Sequence, residues 1–429
     1  MKLAVNHLPV LTWNHLKLNK AEFEVDDAAL QDIKAAGKKA VLKTSSLPMG
    51  IEHEKGVDSA SLYKRFSALF VKTDPEKIVA GKFPIYNKQS FATGMGHEID
   101  SFMEDVDADV YTVTDSFDHD KPVTIGCALP EGATGLSKVF IHAKAGSEST
   151  FIFSFTTLPK ECDYLAECGK CVEQKQVLEM KKEGAADIEP DAAQAGLVGS
   201  QLFVYLEPGA SVTLHVVQML DEGSAFFHDI GICQEEGSLL TMTKLDLGAG
   251  QVYEGLNNLQ KGDRSIFSMD MGYLGLPGSS MDINYNDVFT GKKAEGRMYF
   301  KEALLKDAKK TFRGTLDFRQ YSTGSKGDEQ EDIILLGDEV VNRTIPLILC
   351  EEEDVDGRHA ASVGSLPADM LFYMQTRGIS RKRAEQMMVL SSLQNISNKV
   401  PSEALQKAVR NSICRVFETT HDSDLQGEG

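Results

Sequence analysis

From about Val106 onward the apolar residues fall in short runs separated by Gly, Asp, Asn or Pro. Gln201–Leu206 (QLFVYL) leads through the turn EPGA into Ser211–Val217 (SVTLHVV). Ser238–Leu245 (SLLTMTKL) is followed by DLGAGQ, and Asp332–Leu336 (DIILL) leads through GDEVVNRT to Ile345–Leu349 (IPLIL). Runs of this length, rich in Val, Ile, Leu, Phe and Thr and bounded by turn formers, predict β-strands. The Gly in the turns supplies positive φ at little steric cost. No long helical pattern interrupts Gly199 to Val363. Strands without crossover helices predict an all-β region, as a sandwich, a barrel or a β-solenoid. The repeat is loose, so periodicity alone leaves those three open.

The flanks read differently. Asp26–Ala36 has acidic residues at its front and helix formers behind, which predicts a short helix. Leu62–Lys72 has apolar residues near helical spacing and predicts a second. Leu158–Ala195, charged and cysteine-containing, reads as an inserted surface loop with one short helix over Val172–Glu183, stopped by Gly184. After Gly364, Leu366-Pro367-Ala368-Asp369 opens a helix with Pro near its first turn, and Gly378 ends it. Ser380 caps the next helix, RKRAEQMMVLSSLQNI, and Pro401-Ser402-Glu403 starts a third, reaching about Phe417. The polar tail TTHDSDLQGEG predicts no regular structure. The expected regions are therefore a mixed or helical 1–105, a β core over 106–363 and a helical 364–429.

Charge narrows the function. Acidic residues outnumber basic ones by 64 to 45, for a net charge of −19, so phosphate backbones and anionic membranes repel this chain. No apolar run is long enough for a membrane span or a signal-peptide core. The seven cysteines, in a chain read as lacking an export signal, are expected as reduced thiols in the cytoplasm. No GxxxxGK[ST] occurs, so an ATP-driven process would need its ATPase on another subunit.

Several residues carry chemistry that can be weighed against a structural role. His359 offers an imidazole suited to iron when deprotonated; the alternative is a half-buried His satisfied by backbone near a sheet edge. Cys350, at the end of IPLIL, is either a soft thiolate ligand beside His359 or a small buried hydrophobe. Glu351, Glu352, Glu353, Asp354 and Asp356 form either a carboxylate landing site for Fe²⁺ or a solvated acidic turn, the ordinary fate of such a run. Cys162, Cys168 and Cys171 give a CxxC and a third thiol, one short of the four donors that zinc or a cluster takes. Gly94-Met95-Gly96 is too short to indicate a nucleotide loop. Leu371, Phe372, Met374, Met387 and Met388 supply an adaptable apolar face beside Arg377, Arg381, Lys382 and Arg383. That face suits either a partner or packing onto the end of the β core.

From Thr311 to Leu393 the order of segments is TFRGTLDF, DIILLGDEVVNRTIPLIL, DVDGRHAASVG and LFYMQTRGISRKRAEQMM. This resembles the C-terminal third of the SufB/SufD family of iron–sulfur cluster assembly proteins. That family shows an FxG strand, a "lLLsd.a" segment, a His followed by a small residue and "TVG", then "LFYLrsRGI". LPVLTWNHLKLN near the start is similar to SufD-like chains. The resemblance implies a right-handed parallel β-helix core with helical material at both ends, pairing with a SufB-like paralogue or as a homodimer. It also implies binding of an ABC-type ATPase, SufC, through the C-terminal helical region, and no catalysis by this chain itself. His359 falls on a proposed ligand of a transient cluster at the subunit interface, with no permanently bound cofactor. Leu371, Phe372, Tyr373, Arg377, Gly378 and Ile379 fall on the segment that opens the partner-binding helices. Departures are plain: Ala360 stands where SufD members often have Gly, Gly357 where many have Cys, and Glu331 near the place of the SufB-type assembly cysteine. No Gly-Cys-Ser-Ala-Pro segment of the SufB type is present. These departures favour the SufD-like branch.

Two other functions fit part of this pattern. One is a structural adaptor that recruits the ATPase without touching metal. The other is a carbohydrate-active β-helix, against which stand the single tryptophan, Trp13, and an aromatic content of 8%, thin for a sugar-stacking groove.

Overall fold

Two nine-stranded sheets face each other across one long apolar interior. The computed structural model describes residues 1–9, 16–25, 42–45, 47–67, 69, 91–114, 121–158 and 196–419. The expected helices at Asp26–Ala36 and Val172–Glu183 lie outside these residues, as do Cys162, Cys168, Cys171 and the tail after 419. The first strands are β1 (Lys2–Val5), β2 (Ala21–Glu24), β3 (Lys43–Thr44), β4 (Ile51–Val57), β5 (Ala108–Val113), β6 (Val123–Pro130), β7 (Gly135–Ala143), β8 (Glu148–Leu158), β9 (Leu197–Leu206) and β10 (Ser211–Met219). The remainder are β11 (Ala225–Gln234), β12 (Leu239–Asp246), β13 (Gln251–Gln260), β14 (Ile266–Gly275), β15 (Ser280–Phe289), β16 (Glu295–Leu305), β17 (Lys309–Phe318), β18 (Lys326–Leu336), β19 (Val341–Cys350) and β20 (Asp356–Gly364). From β5 on, the chain alternates between the sheets, and each strand pairs in parallel with the strand two later. This is a parallel β-helix: each rung buries its inner face only by stacking on its neighbours.

The corners explain both the fold and the looseness of the repeat. One corner repeats at Gly146, Gly209, Gly237, Arg264, Lys293 and Gly324, all with φ between 54° and 76°. Each N–H bonds to a carbonyl of the next corner: Gly146 to Pro208, Gly209 to Glu236, Gly237 to Asp263, Arg264 to Lys292, Lys293 to Thr323 and Gly324 to Asp354. A small residue follows every time (Ser147, Ala210, Ser238, Ser265, Ala294, Ser325) and begins the turn into the next strand. Arg and Lys take the left-handed conformation at two corners, at a steric cost that Gly avoids, which hides the repeat from a search for glycine.

Inside, like stacks on like. Met242, Met269 and Met298 share one inward row of neighbouring strands, and the rings of Phe289 and Phe318 stack 4.5 Å apart on the other sheet. At the N-terminal end of the solenoid β3 and β4 pair antiparallel with β6 and β5 and are the last strands of the two sheets. The helix expected at Leu62–Lys72 begins earlier, as α1 (Ser59–Arg65), because the Asp58 carboxylate accepts the Ser61 N–H at 2.9 Å and caps it there. Gly94-Met95-Gly96, just before α2 (His97–Phe102), belongs to a strap laid over the outer face of β11, β13 and β15. A Cβ on Gly255 would lie 2.2 Å from the Met95 nitrogen. The Asp229 carboxylate accepts the Met95 N–H at 2.8 Å, and the Asn284 amide donates to the Gly94 carbonyl at 3.0 Å.

The three C-terminal helices are α3 (Ala368–Thr376), α4 (Arg381–Ser397) and α5 (Glu403–Thr419). Ser380 caps α4 through the Arg383 N–H, and Gly378 has φ of 80°, as their sequence positions predict. Pro367 occupies the cap position of α3 rather than its first turn. The helices do not sit on the end of the core. Val389, Leu393 and Ile396 of α4 cover the outer face of β12, β14 and β16, against Leu245, Leu274 and Ala303. A Cβ on Gly272 would meet Leu393 at 3.1 Å and Ile396 at 3.3 Å, so that glycine lets the helix approach. With the helices on the flank, β19 and β20 remain as the last strand of each sheet, each paired on one side only.

Candidate functional site

The open end gathers the residues singled out by sequence. His359 is exposed on β20 and is the register partner of Glu329 on β18. Parallel partners present their side chains on the same face, so His359 continues the inward row Met242–Met269–Met298–Glu329. Glu329 is 3% exposed. Its Oε2 lies 2.1 Å from where a Cβ on Gly314 would be, so the glycine of TFRG makes room for a carboxyl that crosses the interior. Burial pushes Glu329 up to about 8, Glu331 adds to this, and Lys310 opposes it.

Cys350 ends β19, exposed and in register with Phe318. A Cβ on Gly357 would lie 2.9 Å from the Phe318 ring and 3.0 Å from Ile348. Gly357 therefore faces Ile348 across the last rung, and any side chain there must displace both. This registration leaves Cys350 and His359 four residues apart along the rung, about 13 Å at strand spacing. Within one chain they do not form a joint chelate, and no cluster of three or more His, Cys, Asp or Glu able to hold a metal occurs among the described residues. Glu331 accepts Lys310 Nζ at 2.5 Å and the Thr344 hydroxyl at 3.2 Å, committing it to an internal ion pair. Cys127 and Cys233 are core thiols that burial raises to about 12.

The acidic run forms the last corner. Glu351 accepts from Arg319 at 3.3 Å, Glu352 accepts the Tyr321 N–H at 3.1 Å, and the Asp354 carbonyl closes the corner ladder. These carboxylates are engaged in a turn, the structural role foreseen for them. On α3 no side chain is buried: Phe372 is 68% and Tyr373 59% exposed, with the Arg377 guanidinium 5.2 Å from the Tyr373 ring centre. Leu371 and Ile379 are half-buried, Met387 is exposed and Met388 half-buried.

Sequence reasoning passed over the charges inside the solenoid. Lys244 Nζ lies 3.0 Å from Asp246 and 2.6 Å from Glu254, all fully buried, and the Tyr285 hydroxyl donates to Glu254 at 2.5 Å. Two rungs nearer the open end, Lys310 bridges Glu302 at 2.6 Å and Glu331 at 2.5 Å. Alternation within strands such as KLD and YFKEALL carried the signal, since Lys244 and Glu302 stand at inward positions of their strands. Burial raises Asp229 and Glu254 to about 8, and Glu302 and Asp287 to about 7. Their unfolded counterparts titrate near 4 (about 3.9–4.3), so the folded chain binds more protons between those limits. Stability should therefore be highest at the acidic side of this window and fall as pH rises through 7 to 8. A melting temperature several degrees lower at about pH 8.5 than at about pH 6 is expected; an equal or higher one contradicts the burial of these carboxyls.

Comparison with known proteins agrees with this architecture. The profile "SUF system FeS cluster assembly, SufBD core domain" matches residues 171–392. The chain is 25% identical over 173 residues to the iron–sulfur cluster assembly SufBD family protein ABCI8, chloroplastic, of Arabidopsis thaliana, covering 40% of this chain and 31% of that protein. It is 29% identical over 118 residues to the iron–sulfur cluster assembly protein SufD of Bacillus subtilis, covering 27% of each. It is 22% identical over 126 residues to SufB of the same organism, covering 29% of this chain and 27% of that protein. The matched segments thus span about a third or less of these relatives' own length. No described helix is long and apolar enough to cross a membrane. A parallel β-helix with flanking C-terminal helices, matched by that profile across half of its length, places this chain in the SufBD core domain family of the SUF system.

Proposed function

We propose that this chain is a non-catalytic, SufD-like scaffold subunit that supports iron–sulfur cluster assembly in the cytoplasm. The observation that carries the reading is the C-terminal edge of the solenoid: β19 and β20 are each paired on one side only, and β20 bears the exposed His359. An unpaired sheet edge is a template for another chain. Here Val363, 48% exposed on β20, adds apolar surface beside it. A SufB-like paralogue or a second copy pairs with this edge. A transient cluster is held between the two chains, with His359 donating from this side and Cys350 available farther along the rung. The cluster is cargo, and no permanently bound cofactor is required.

The second contact is with a SufC-like ABC ATPase. Leu371, Phe372, Tyr373, Arg377, Gly378 and Ile379 lie on or just after α3, the helix with no buried side chain, while α4 and α5 fix it to the flank of the core. Co-expression with the ATPase and a SufB-like chain should yield a complex purified through a tag on this chain. Phe372→Asp should weaken ATPase binding by about 2 kcal/mol or more, as for an aromatic hot spot, while the paralogue stays bound and the melting temperature is unchanged. Retention of the ATPase at wild-type affinity removes α3 from the interface. Recovery of a complex without iron or sulfide under any anaerobic preparation favours the structural adaptor instead.

A further inference from the structure

The outer face of β7, β9, β11, β15 and β17 carries one buried polar row: Lys138, Gln201, Asp229, Asn284 and Arg313, register partners in turn, with Gly255 at the β13 place. What covers the row explains it. An irregular strap laid on a sheet brings backbone groups that must find partners. Asp229 accepts the Met95 N–H at 2.8 Å, Asn284 donates to the Gly94 carbonyl at 3.0 Å, and the Asn6 N–H donates to the Met95 carbonyl at 3.0 Å. Met95, Ile99 and Met103 pack with Leu3, Val5 and Phe23, so the strap, α2 and the β1–β2 hairpin form one covering unit.

Two carboxyls meet beneath this cover. Gln201 Nε2 donates to Asp100 Oδ1 at 2.8 Å and to Asp229 Oδ2 at 3.1 Å, and the Thr93 hydroxyl donates to Asp100 at 3.1 Å. One amide nitrogen thus ties α2, which carries Asp100, to the sheet, which carries Asp229. Among the described residues neither carboxyl makes an ion pair. Lys138 attracts Asp100 through space, but its Nζ donates instead to the Ser59 hydroxyl at 2.8 Å and the Met103 carbonyl at 2.7 Å. Two carboxylates on one amide nitrogen repel, and neither has a cation in contact to offset its desolvation. One of them therefore keeps its proton. Asp229 is fully buried and Asp100 half-buried, so the proton rests on Asp229, which burial and then Asp100 raise to about 8.

We infer that the Asp100–Gln201–Asp229 bridge is a proton-operated latch: a proton on the pair holds the strap and the N-terminal hairpin closed, and a rise of pH across neutrality loosens them before the solenoid unfolds. With the strap open, both carboxyls meet water and titrate at about 4. Closing the strap therefore takes up a proton, and closure weakens about tenfold per pH unit until the pair itself titrates. The other groups around the pair are His97 on α2, Tyr63 on α1 and His7 beside the strap; Glu104, Asp105 and Asp107 face Lys138. Burial lowers His7 below its usual range, lowers Lys138 to about 8 and raises Tyr63 to about 12. Between about pH 6.5 and 8 these three hold the same charge with the strap open or closed, and the pair sets the slope. Opening uncovers Phe227, whose ring centre lies 5.7 Å from that of Phe23 in the hairpin.

Hydrogen–deuterium exchange of the full-length chain at about pH 6.5 and 7.5, each rate divided by the intrinsic rate at that pH, tests the latch. Peptides from residues 91–103 should exchange faster than those of β13 beneath them, and their protection should fall by about tenfold between the two pH values. Asp229→Asn, which has no proton to lose, should keep the same strap protection at both. Unchanged protection in the wild type, equal protection of strap and β13, or a wild-type fall in Asp229→Asn overturns the latch. Should Asp229→Asn not fold, Asp100→Asn decides. Removing the like charge lets Asp229 ionise more readily, so a smaller fall supports the latch and an unchanged one overturns it.

Discussion

His359→Ala should leave the complex with the ATPase and the SufB-like partner intact and reduce its iron and acid-labile sulfide at least about tenfold, the scale on which metal sites respond to loss of a supporting group or more. The expectation that assembly survives comes from exposure: the His359 side chain packs into no core cluster, and β20 is held to β18 by backbone pairing that Ala retains. The expectation that metal is lost comes from position. His359 ends an inward row whose previous member is a buried carboxyl, and the strands around it offer no other imidazole. The measurement is iron and sulfide per complex after anaerobic purification, with subunit stoichiometry determined on the same sample. Equal iron and sulfide in both proteins would make this subunit an adaptor. Loss of the partner together with the metal would make His359 a contact residue of the interface.

Lys310→Met should destabilise the fold by about 3–5 kcal/mol, the cost of breaking a buried ion pair from one side. Lys310 Nζ is fully buried, bridges Glu302 and Glu331, and lies 5.2 Å from the Phe312 ring centre. Without the cation, two carboxyls remain in an apolar interior beside a third, Glu329. In its absence the folded variant favours their protonated forms. The folded variant then binds more protons than its unfolded chain over a wider range, and its deficit grows as pH rises. Urea unfolding at about pH 6 and pH 8 checks both size and sign. A deficit below about 1 kcal/mol, or one that shrinks with pH, would mean the triad contributes little. Combining Lys310→Met with Glu302→Gln and Glu331→Gln should recover much of the loss, because replacing a whole buried ionic group is far less costly than orphaning part of it.

The strands were legible because each satisfies local rules. Ser211–Val217 and Ile345–Leu349 are β-branched or leucine-rich runs between turn formers, and both lie inside observed strands. Ser380 and Gly378 were legible for the same reason, since caps are set by one side chain or one φ angle. The choice among sandwich, barrel and solenoid was not legible from the strands, because inward-facing residues alternate in all three. The deciding signal was the corner: a left-handed residue followed by Ser or Ala, from Gly146-Ser147 to Gly324-Ser325, with Arg264 and Lys293 breaking the run. Family resemblance supplied the solenoid before the pattern did.

By itself, the sequence determined that this chain is a β-rich protein with three C-terminal helices, strongly acidic, without a P-loop, and marked by His359 and the LFYMQTRGI segment. Each of these depends on residues close together in the chain, or on sums over it. The tertiary structure alone decided that Glu329 is the register partner of His359 and that Cys350 lies four residues too far along the rung to join it. It also decided that Lys310 sits between two carboxylates, and that the helices ride the flank and leave β19 and β20 open. These facts depend on register. A parallel solenoid sets residues about thirty apart side by side, and a shift of one residue in any rung would send each of them to the opposite face.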